Sequence, residues 1–389
     1  MIGVGRRAEP GRAAAGQGRI SEREAWIALS LLPGIGPAGF ARLVAQHGSA
    51  VAAWASNPDA DRSGVRTPQS PSAPDTSRDD PRAVARALEA ATRKVGGRVV
   101  TGLDEDYPPA LRTLDPRPPT LFIIGPDGVF RRRAVAVVGT RRASGYGLTV
   151  ATEVADDLAR AGVVVVSGLA LGIDGAAHRA TVTADAAGIA VLPSPLDRVY
   201  PPRHRALARD IVRAGGALVT EVAVGASIGR PDFARRNRII AGLAEAVVVV
   251  EAPDHSGALL TVSAASAIGR EVYAVPGPID AMSSRGCNRL IADQHAVMVT
   301  SSASLMHQIG LARGLRPPTV AALSEVEGVV LRHLLERPGS IEELVDRTRQ
   351  PAASVASALA MLEARGLVDP YGGATFHVTL AAKRLAAPV

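Results

Sequence analysis

The sequence predicts an α/β fold: a mainly parallel, doubly wound sheet flanked by a small N-terminal helical domain and a C-terminal domain of three helices and a hairpin. Three observations predict it. From Ala134 onward, short Val- and Ile-rich runs alternate with helical segments, the pattern of strands covered on both faces. Of the 389 residues 47% are hydrophobic but only 3% aromatic, so the core must be built from Ala, Val, Leu and Ile. Glycine-rich turns repeatedly join an apolar run to the helix after it.

Residues 1–20 are rich in Gly, Arg and Ala, without the apolar stretch of a signal peptide, and read as a disordered tail. Residues 21–95 read as the helical domain. Ser21 caps its first helix, with Glu24 completing a capping box. Leu32-Pro33-Gly34-Ile35-Gly36-Pro37 then separates two helical patterns, as in a helix-hairpin-helix or SAM-like unit. Such a turn offers backbone N–H groups to a DNA phosphate, or is a plain helix–helix turn. Residues 57–80, dense in Pro, Ser, Asp and Thr, read as a flexible insertion. A helix resumes over 81–94, Asp104 to Pro119 is an irregular connector, and Leu121–Ile124 leads into the main domain.

That domain spans 96–312. Its strands are Ala134–Gly139, Val163–Ser167, Ile189–Leu192, Ala217–Glu221, Val247–Glu251 and Val272–Val275, with Ala296–Thr300 a possible seventh. Its helices are Thr149–Ala161, Ile173–Ala180, Arg203–Arg213, Arg235–Leu243 and Leu259–Ile268. Strands and helices in this order make an extended Rossmann-like sheet. A basic, Pro-containing linker over 313–321 precedes residues 322–389, where helices Ser324–Glu336, Ser340–Arg347 and Ala352–Arg365 and a short hairpin make a winged helix.

The chain carries a net charge of +7, which favours a polyanionic partner but also fits a basic protein without one. The single cysteine, Cys287, excludes an internal disulfide or a Cys-rich metal site and fits a reducing cytoplasm. It has no catalytic base beside it in sequence and reads as structural. No apolar run approaches the roughly 18 residues of a membrane span.

The chemistry lies in the turns. Val137-Val138-Gly139-Thr140-Arg141-Arg142-Ala143-Ser144-Gly145 joins a buried strand to a helix. Gly permits close backbone approach, a helix N-terminus supplies N–H groups, and Arg141 and Arg142 add forks suited to phosphate. This is neither Gly-x-Gly-x-x-Gly nor a Walker loop. In Ser167-Gly168-Leu169-Ala170-Leu171-Gly172-Ile173-Asp174, Ser167 and Gly168 can meet a phosphate oxygen and Asp174 can cap the helix. His178, four residues on, makes an Asp–His pair that reads as a cap and a buried polar contact before it reads as catalytic. Arg235, Arg236 and Arg238 cluster before an apolar helix, two or three of them facing one groove, with Asn237 able to cap or to bond a base. Ser256-Gly257 sits at a further strand-to-helix turn. A mononucleotide needs one or two such turns; a row of them suits a chain of phosphates.

Val-Gly-Thr-Arg, Ser-Gly-Leu-Ala-x-Gly-Ile-Asp, Arg-Asn-Arg-Ile-Ile-Ala-Gly-Leu and Val-Pro-Gly, in this order from Val135 to about Thr300, resemble the DNA-processing protein A (DprA, or Smf) family. The resemblance implies single-stranded DNA binding, homodimerisation, and loading of the RecA recombinase on incoming strands in natural transformation. On that basis Gly139, Thr140 and Arg141 meet the DNA backbone, and Ser167, Gly168, Arg203, Arg235, Asn237 and Arg238 line the same pocket. The chain departs from the family pattern at Leu171, at Pro193-Ser194-Pro195 and at Asp293-Gln294-His295. The first two bear on the groove and the third on the dimer.

The first functional reading is therefore a non-enzymatic single-strand binder and recombination mediator without cofactor or metal. Contact with about four phosphates would give a slope near −3 in log K against log salt, at roughly −0.7 per contact. The alternative is a nucleotide hydrolase or phosphoribohydrolase on a related sheet. Those carry a Pro-Gly-Gly-x-Gly-Thr stretch and a catalytic Glu, where this chain has Asp254-His255-Ser256-Gly257-Ala258-Leu259. A third reading is a regulator whose winged helix reads duplex DNA. Its recognition helix over 352–365 is Ala-rich and poor in the amide and basic groups that base readout needs.

Overall fold

Seven strands form the parallel part of one sheet: β3 (Ala134–Val138), β4 (Val164–Ser167), β5 (Gly188–Val191), β6 (Ala217–Thr220), β7 (Ala246–Val249), β8 (Glu271–Ala274) and β9 (Val297–Met298). Two more, β1 (Arg98–Thr101) and β2 (Thr120–Ile124), extend it antiparallel to give the order β1-β2-β6-β5-β4-β3-β7-β8-β9. The computed structural model describes residues 19–56, 80–311, 323–365, 367–371, 375–378 and 382. Most of the expected N-terminal tail, all of the expected 57–80 insertion but Asp80, which caps the helix over 81–94, and the linker over 313–321 lie outside them.

The strand order places the site. The chain runs from β3 outward through β4, β5 and β6, then returns to the other side of β3 to start β7. Loops leaving the carboxyl ends of β3 and β7 therefore diverge, and such a switch point opens a crevice there. β3 is buried along its whole length and sends alternate residues to opposite faces. Val135 and Val137 join Val150, Val154 and Leu158 on one side, while Ala136 and Val138 join Ile239, Ile240 and Val262 on the other. This two-sided burial is why the strands read as continuous apolar runs.

The helices of the sheet domain are α5 (Gly145–Arg160), α6 (Ile173–Thr183), α7 (Arg205–Arg213), α8 (Arg230–Leu243), α9 (Ala258–Ala267), α10 (Arg285–Ala292) and α11 (Ser302–Gln308). The expected α/β class holds, with differences of extent. Helix α8 starts at Arg230, five residues before the sequence reading placed it. Gly229, Pro231 and the Asp232 carboxylate, which accepts the Gly229 N–H at 2.7 Å, form its start. The apolar run that drew attention is only its buried C-terminal half. Leu121–Ile124, read as a lead-in, is a strand within the sheet, and Arg98–Thr101 pairs with it.

Ahead of the sheet, α1 (Glu22–Ser30), α2 (Pro37–His47), α3 (Ala50–Ala55) and α4 (Pro81–Lys94) pack together. Ser21 and Glu24 form the expected capping box on α1. These helices dock directly on the sheet: Ile27, Ala85 and Leu88 share one cluster with Phe122, Leu192, Leu207 and Leu218. Trp26 Nε1 donates to Pro119 O at 2.7 Å, and Arg23 reaches Asp104 and Glu89.

Residues up to 312 thus form one compact unit and Arg313–Val389 a second. The second holds α12 (Glu325–Glu336), α13 (Ile341–Thr348) and α14 (Ala352–Ala364) beside a three-stranded sheet of β10 (Gly339–Ser340), β12 (Thr375–Val378) and β11 (Val368–Tyr371). Val330, Leu334, Leu344, Val355, Leu359 and Leu362 are its core, and this is a winged helix.

Because Phe122 is fully buried between the N-terminal helices and the sheet, Phe122→Ala should lower the unfolding free energy of the first unit by about 3–5 kcal/mol. Urea denaturation checks this; a loss below about 1 kcal/mol would mean that β2 is peripheral to the core.

Candidate polyanion-binding cleft

A cleft of about 770 Å³ opens at the carboxyl ends of β3 and β7. Its walls are the Gly139–Arg142 loop, the α8 residues Phe233, Arg236 and Asn237, the turn from Asp254 to Ala258, and Arg285. The sheet's switch point and the cleft coincide.

At the end of β3, Gly139 is required by packing: a Cβ there would lie 2.5 Å from Ile173 Cγ1 and 2.9 Å from Glu251 O. The Thr140 N–H donates to Glu251 O at 2.7 Å, so β3 and β7 are tied where they open. Arg141 and Arg142 then project outward, exposed, and Arg141 sits over the Phe233 ring at 5.0 Å from its centroid. The following helix offers fewer free N–H groups than expected, because two at its start are already taken. Ser144 Oγ accepts the Gly147 N–H at 3.0 Å and Glu251 Oε2 accepts the Ser144 N–H at 2.8 Å. A buried carboxylate already holds the N-terminus of α5, so anion recognition in this loop falls to the two arginines.

Ser167 is also corrected. Its hydroxyl is fully buried and donates to Val137 O at 2.6 Å, inside the sheet. Asp174 is not the cap of α6. Gly172 is, with φ of 74°, and Asp174 Oδ2 instead accepts the N–H groups of Gly168 at 3.0 Å and Ala170 at 3.4 Å. Burial pushes the Asp174 carboxyl upward, and Arg236 opposes the shift. His178 is fully buried, makes no bond to Asp174, and is pushed down to about 3 by burial. It is a neutral core residue, in line with the structural reading of the Asp–His pair.

The arginines of α8 point in different directions. At about 100° per residue, a helix cannot aim positions 235, 236 and 238 at one groove. Arg236 turns inward and is 7% exposed. Its Nη1 donates to Gly168 O and to Val191 O, each at 2.5 Å, and its Nε to Asn237 Oδ1 at 3.1 Å. It thereby ties the ends of β4 and β5 to α8. Burial pulls its pKa down to about 10, still charged at neutral pH. No carboxylate among the described residues pairs with it directly. Arg238 turns to the other side, pairing with Glu221 and donating to Pro116 O at 2.5 Å, outside the cleft. Arg235 is exposed, 3.8 Å from Asp232, and Arg203 lies on an exposed 3-10 turn; neither lines the cleft. Asn237 does, its Nδ2 donating to Gly257 O at 3.1 Å.

Ser256 and Gly257 line the cleft at the start of α9, where Gly257 is the cap and Ser256 Oγ accepts the Ala258 N–H at 3.3 Å. Beside them Asp254 pairs with Arg285 and Arg289. Cys287 is fully buried and its thiol is pushed up to about 12 by burial, as befits a packing residue. The Leu171 and Pro193 departures meet in a neighbouring pocket of about 60 Å³ with Gly168, Tyr200 and Phe233. The Tyr200 and Phe233 rings stand edge to face, 5.4 Å apart. Sequence reasoning missed Phe233 and Arg285 as wall residues, and left Arg236 out of the candidate set although it sits between two chosen arginines. Helical phase was the available signal. Among the described residues no three His, Cys, Asp or Glu side chains gather as a metal-ligand set.

Comparison with known proteins yields matches along most of the chain. The family model described as DNA recombination-mediator protein A matches residues 98–310, the DprA winged helix domain matches 315–374, and the DprA-like N-terminal HHH domain matches 21–80. A putative DNA processing protein DprA of Mycobacterium tuberculosis is 39% identical over 74% of this chain and 78% of its own length. Protein Smf of Escherichia coli is 37% identical over 69% and 74%. Among solved structures, DNA processing protein A of Streptococcus pneumoniae aligns over 75% of this chain and 98% of its own, with a TM-score of 0.58 and 28% identity. The Helicobacter pylori DNA processing protein A, from a study of its single-stranded DNA binding mode, has the same fold at 24% identity and a TM-score of 0.50, covering 55% of this chain and 95% of its own.

Replacing Arg236 with Met would strand the Gly168 and Val191 carbonyls and remove the charge nearest Asp174. Arg236→Met should cost about 2–4 kcal/mol in chemical denaturation. A variant as stable as the parent would show that the guanidinium does not hold the strand ends.

Proposed function

We propose, for a chain that belongs to the DNA recombination-mediator protein A (DprA/Smf) family, that the cleft binds single-stranded DNA by its phosphates and that the protein acts as a recombination mediator and not as an enzyme. One observation carries the reading. Arg141, Arg142 and Arg236 line the cleft, and none has a carboxylate within salt-bridge distance among the described residues. Arg141 and Arg142 are exposed without a carboxylate partner among the described residues, which favours an anion, and the Arg236 charge, held by the Gly168 and Val191 carbonyls, adds positive field to the same crevice.

Base contacts are secondary in this reading. Phe233 and Tyr200 offer aromatic faces beside the arginines, enough to stack a base but not a long run of them. Little sequence preference follows. Thr140, Asn237, Ser256 and Gly257 set the backbone of the walls, and Gly139 and Gly168 let neighbouring chains approach. Of the set expected from sequence, Arg141 and Arg142 thus contribute by charge and Gly139, Thr140, Gly168, Asn237, Ser256 and Gly257 by shape. Arg203 and Arg235 lie outside the cleft as exposed positive charge on the same domain.

The family supports handing the bound strand to the RecA recombinase in natural transformation, within the cytoplasm. The exposed edge strand β9, with Val297 49% and Met298 44% exposed, supports homodimerisation through the end of the sheet. The winged helix fits an interaction module better than a reader of duplex DNA: α14 turns Ala352, Ala353, Ala356 and Ala360 to solvent, which offer no hydrogen-bonding groups to base edges. The hydrolase alternative requires an acid or base at the cleft. Among the described residues both carboxylates in its wall are committed, Asp174 to two backbone N–H groups and Asp254 to Arg285 and Arg289, and His255 is the remaining titratable wall side chain of the acid–base kind.

Three phosphate contacts at roughly −0.7 each predict a slope near −2 in log K against log salt for a short oligothymidylate, shallower than the four contacts counted from sequence. Arg141→Glu with Arg142→Glu should weaken binding about tenfold or more at moderate salt while leaving the melting midpoint in place. Fluorescence anisotropy with a labelled oligonucleotide checks both. A folded double variant that binds normally would overturn the reading, and robust base release from a nucleoside monophosphate would favour the hydrolase instead.

A further inference from the structure

Next to the cleft lies a second, more open hollow of about 490 Å³, lined by Asp254, His255, Ile279, Arg285, Asn288 and Arg289. The two share Asp254, His255 and Arg285, so a chain leaving one enters the other. The Asp254 carboxylate is 27% exposed and receives two guanidinia: Arg285 Nε at 3.2 Å on one oxygen and Arg289 Nη1 at 3.3 Å on the other. Two cations on one carboxylate leave one positive charge uncompensated. With side chains 60% and 54% exposed, both arginines keep donors facing solvent.

The geometry of the pair is that of a phosphate clamp holding a substitute. A carboxylate with a guanidinium on each oxygen presents the charge and acceptors of a backbone phosphate between two arginines. The far wall is firm. Asn288 Oδ1 accepts the Gly277 N–H at 3.1 Å and its Nδ2 donates to Gly277 O at 3.0 Å, pinning the turn that carries Ile279. Ile279 is 94% exposed, more than any other large hydrophobic side chain among the described residues, and Met282 on the side of the first cleft is 73% exposed. Apolar side chains held in water beside paired arginines suit the sugar and base faces of a strand whose phosphates lie on the arginines.

We propose that the bound strand continues from the cleft across this hollow, and that Asp254 is an internal phosphate surrogate: an arriving phosphate takes its place between Arg285 and Arg289. The proposal rests on the single-strand reading of the first cleft. In the free protein Asp254 holds the two arginines in register and keeps them from other anions. On binding it becomes the repulsive element, which lowers affinity for long strands and makes the outer subsite the easier one to release.

The test uses the full chain and labelled oligothymidylates of about 4 and about 12 nucleotides, both within the range of site sizes seen for single-strand-binding folds. The readout is the ratio of long- to short-strand affinity. Asp254→Asn should raise that ratio roughly two- to fivefold, the scale of an exposed ion pair. Arg289→Ala should lower it by a similar factor and reduce the long-strand salt slope by about 0.7. Glu105→Gln, which removes an exposed carboxylate lining neither cavity, should leave the ratio as it is. The proposal is overturned if Arg289→Ala leaves the ratio unchanged, if Asp254→Asn lowers it, or if Glu105→Gln raises it as much as Asp254→Asn. The single-strand reading fails separately, and takes this proposal with it, if the unaltered protein binds neither length.

Discussion

The buried guanidinium of Arg236 is the constraint around which the candidate site is arranged. One nitrogen bridges the carbonyls that end β4 and β5, and another fixes Asn237, which reaches Gly257 at the start of α9. Three loops from three strands are thus referred to one side chain. On the opposite side of the β4 loop, Asp174 gathers the Gly168 and Ala170 N–H groups. The loop is held from both its donors and its acceptors, without a direct ion pair between the two charges. Gly168 has no room for a Cβ, because the Arg236 guanidinium lies against it. A charge this buried is costly unless its surroundings are polar and fixed, and here they are backbone dipoles.

That arrangement differs from the familiar way in which α/β proteins hold phosphates. In many of them the helix after the first strand points its free N–H groups at the anion. Here α5 has its N-terminus occupied by Glu251, which also ties β3 to β7 through its own carbonyl. Positive charge comes instead from side chains: two exposed arginines at the end of β3 and one buried arginine on α8. Side chains spread along a crevice suit an extended polyanion more than one nucleotide, because they can be spaced to match successive phosphates.

The fold class was legible because two-sided burial writes itself as unbroken Val and Ile runs, and the strand-to-helix turns carry their own glycines. The β1–β2 extension was harder to read. Arg98–Thr101 and Thr120–Ile124 are short and are separated by a Pro-rich connector that reads as irregular. In the site, the Gly139–Arg142 loop and the Ser256–Gly257 turn were readable as local signals. The α8 arginines were not, since which of three neighbouring residues turns inward depends on where the helix starts. Gly229 and Pro231 mark that start, and the apolar run beyond them masked it. Ser167 and Arg238 failed for a related reason: their polar groups are satisfied by Val137 O and Glu221, partners distant in sequence.

The most direct test of the account is a structure or residue-level footprint of the protein with a short oligothymidylate. The account predicts phosphates in contact with Arg141, Arg142 and the accessible edge of Arg236, at the carboxyl ends of β3 and β7. A strand bound solely at the winged helix, or anywhere away from this crevice, would contradict it.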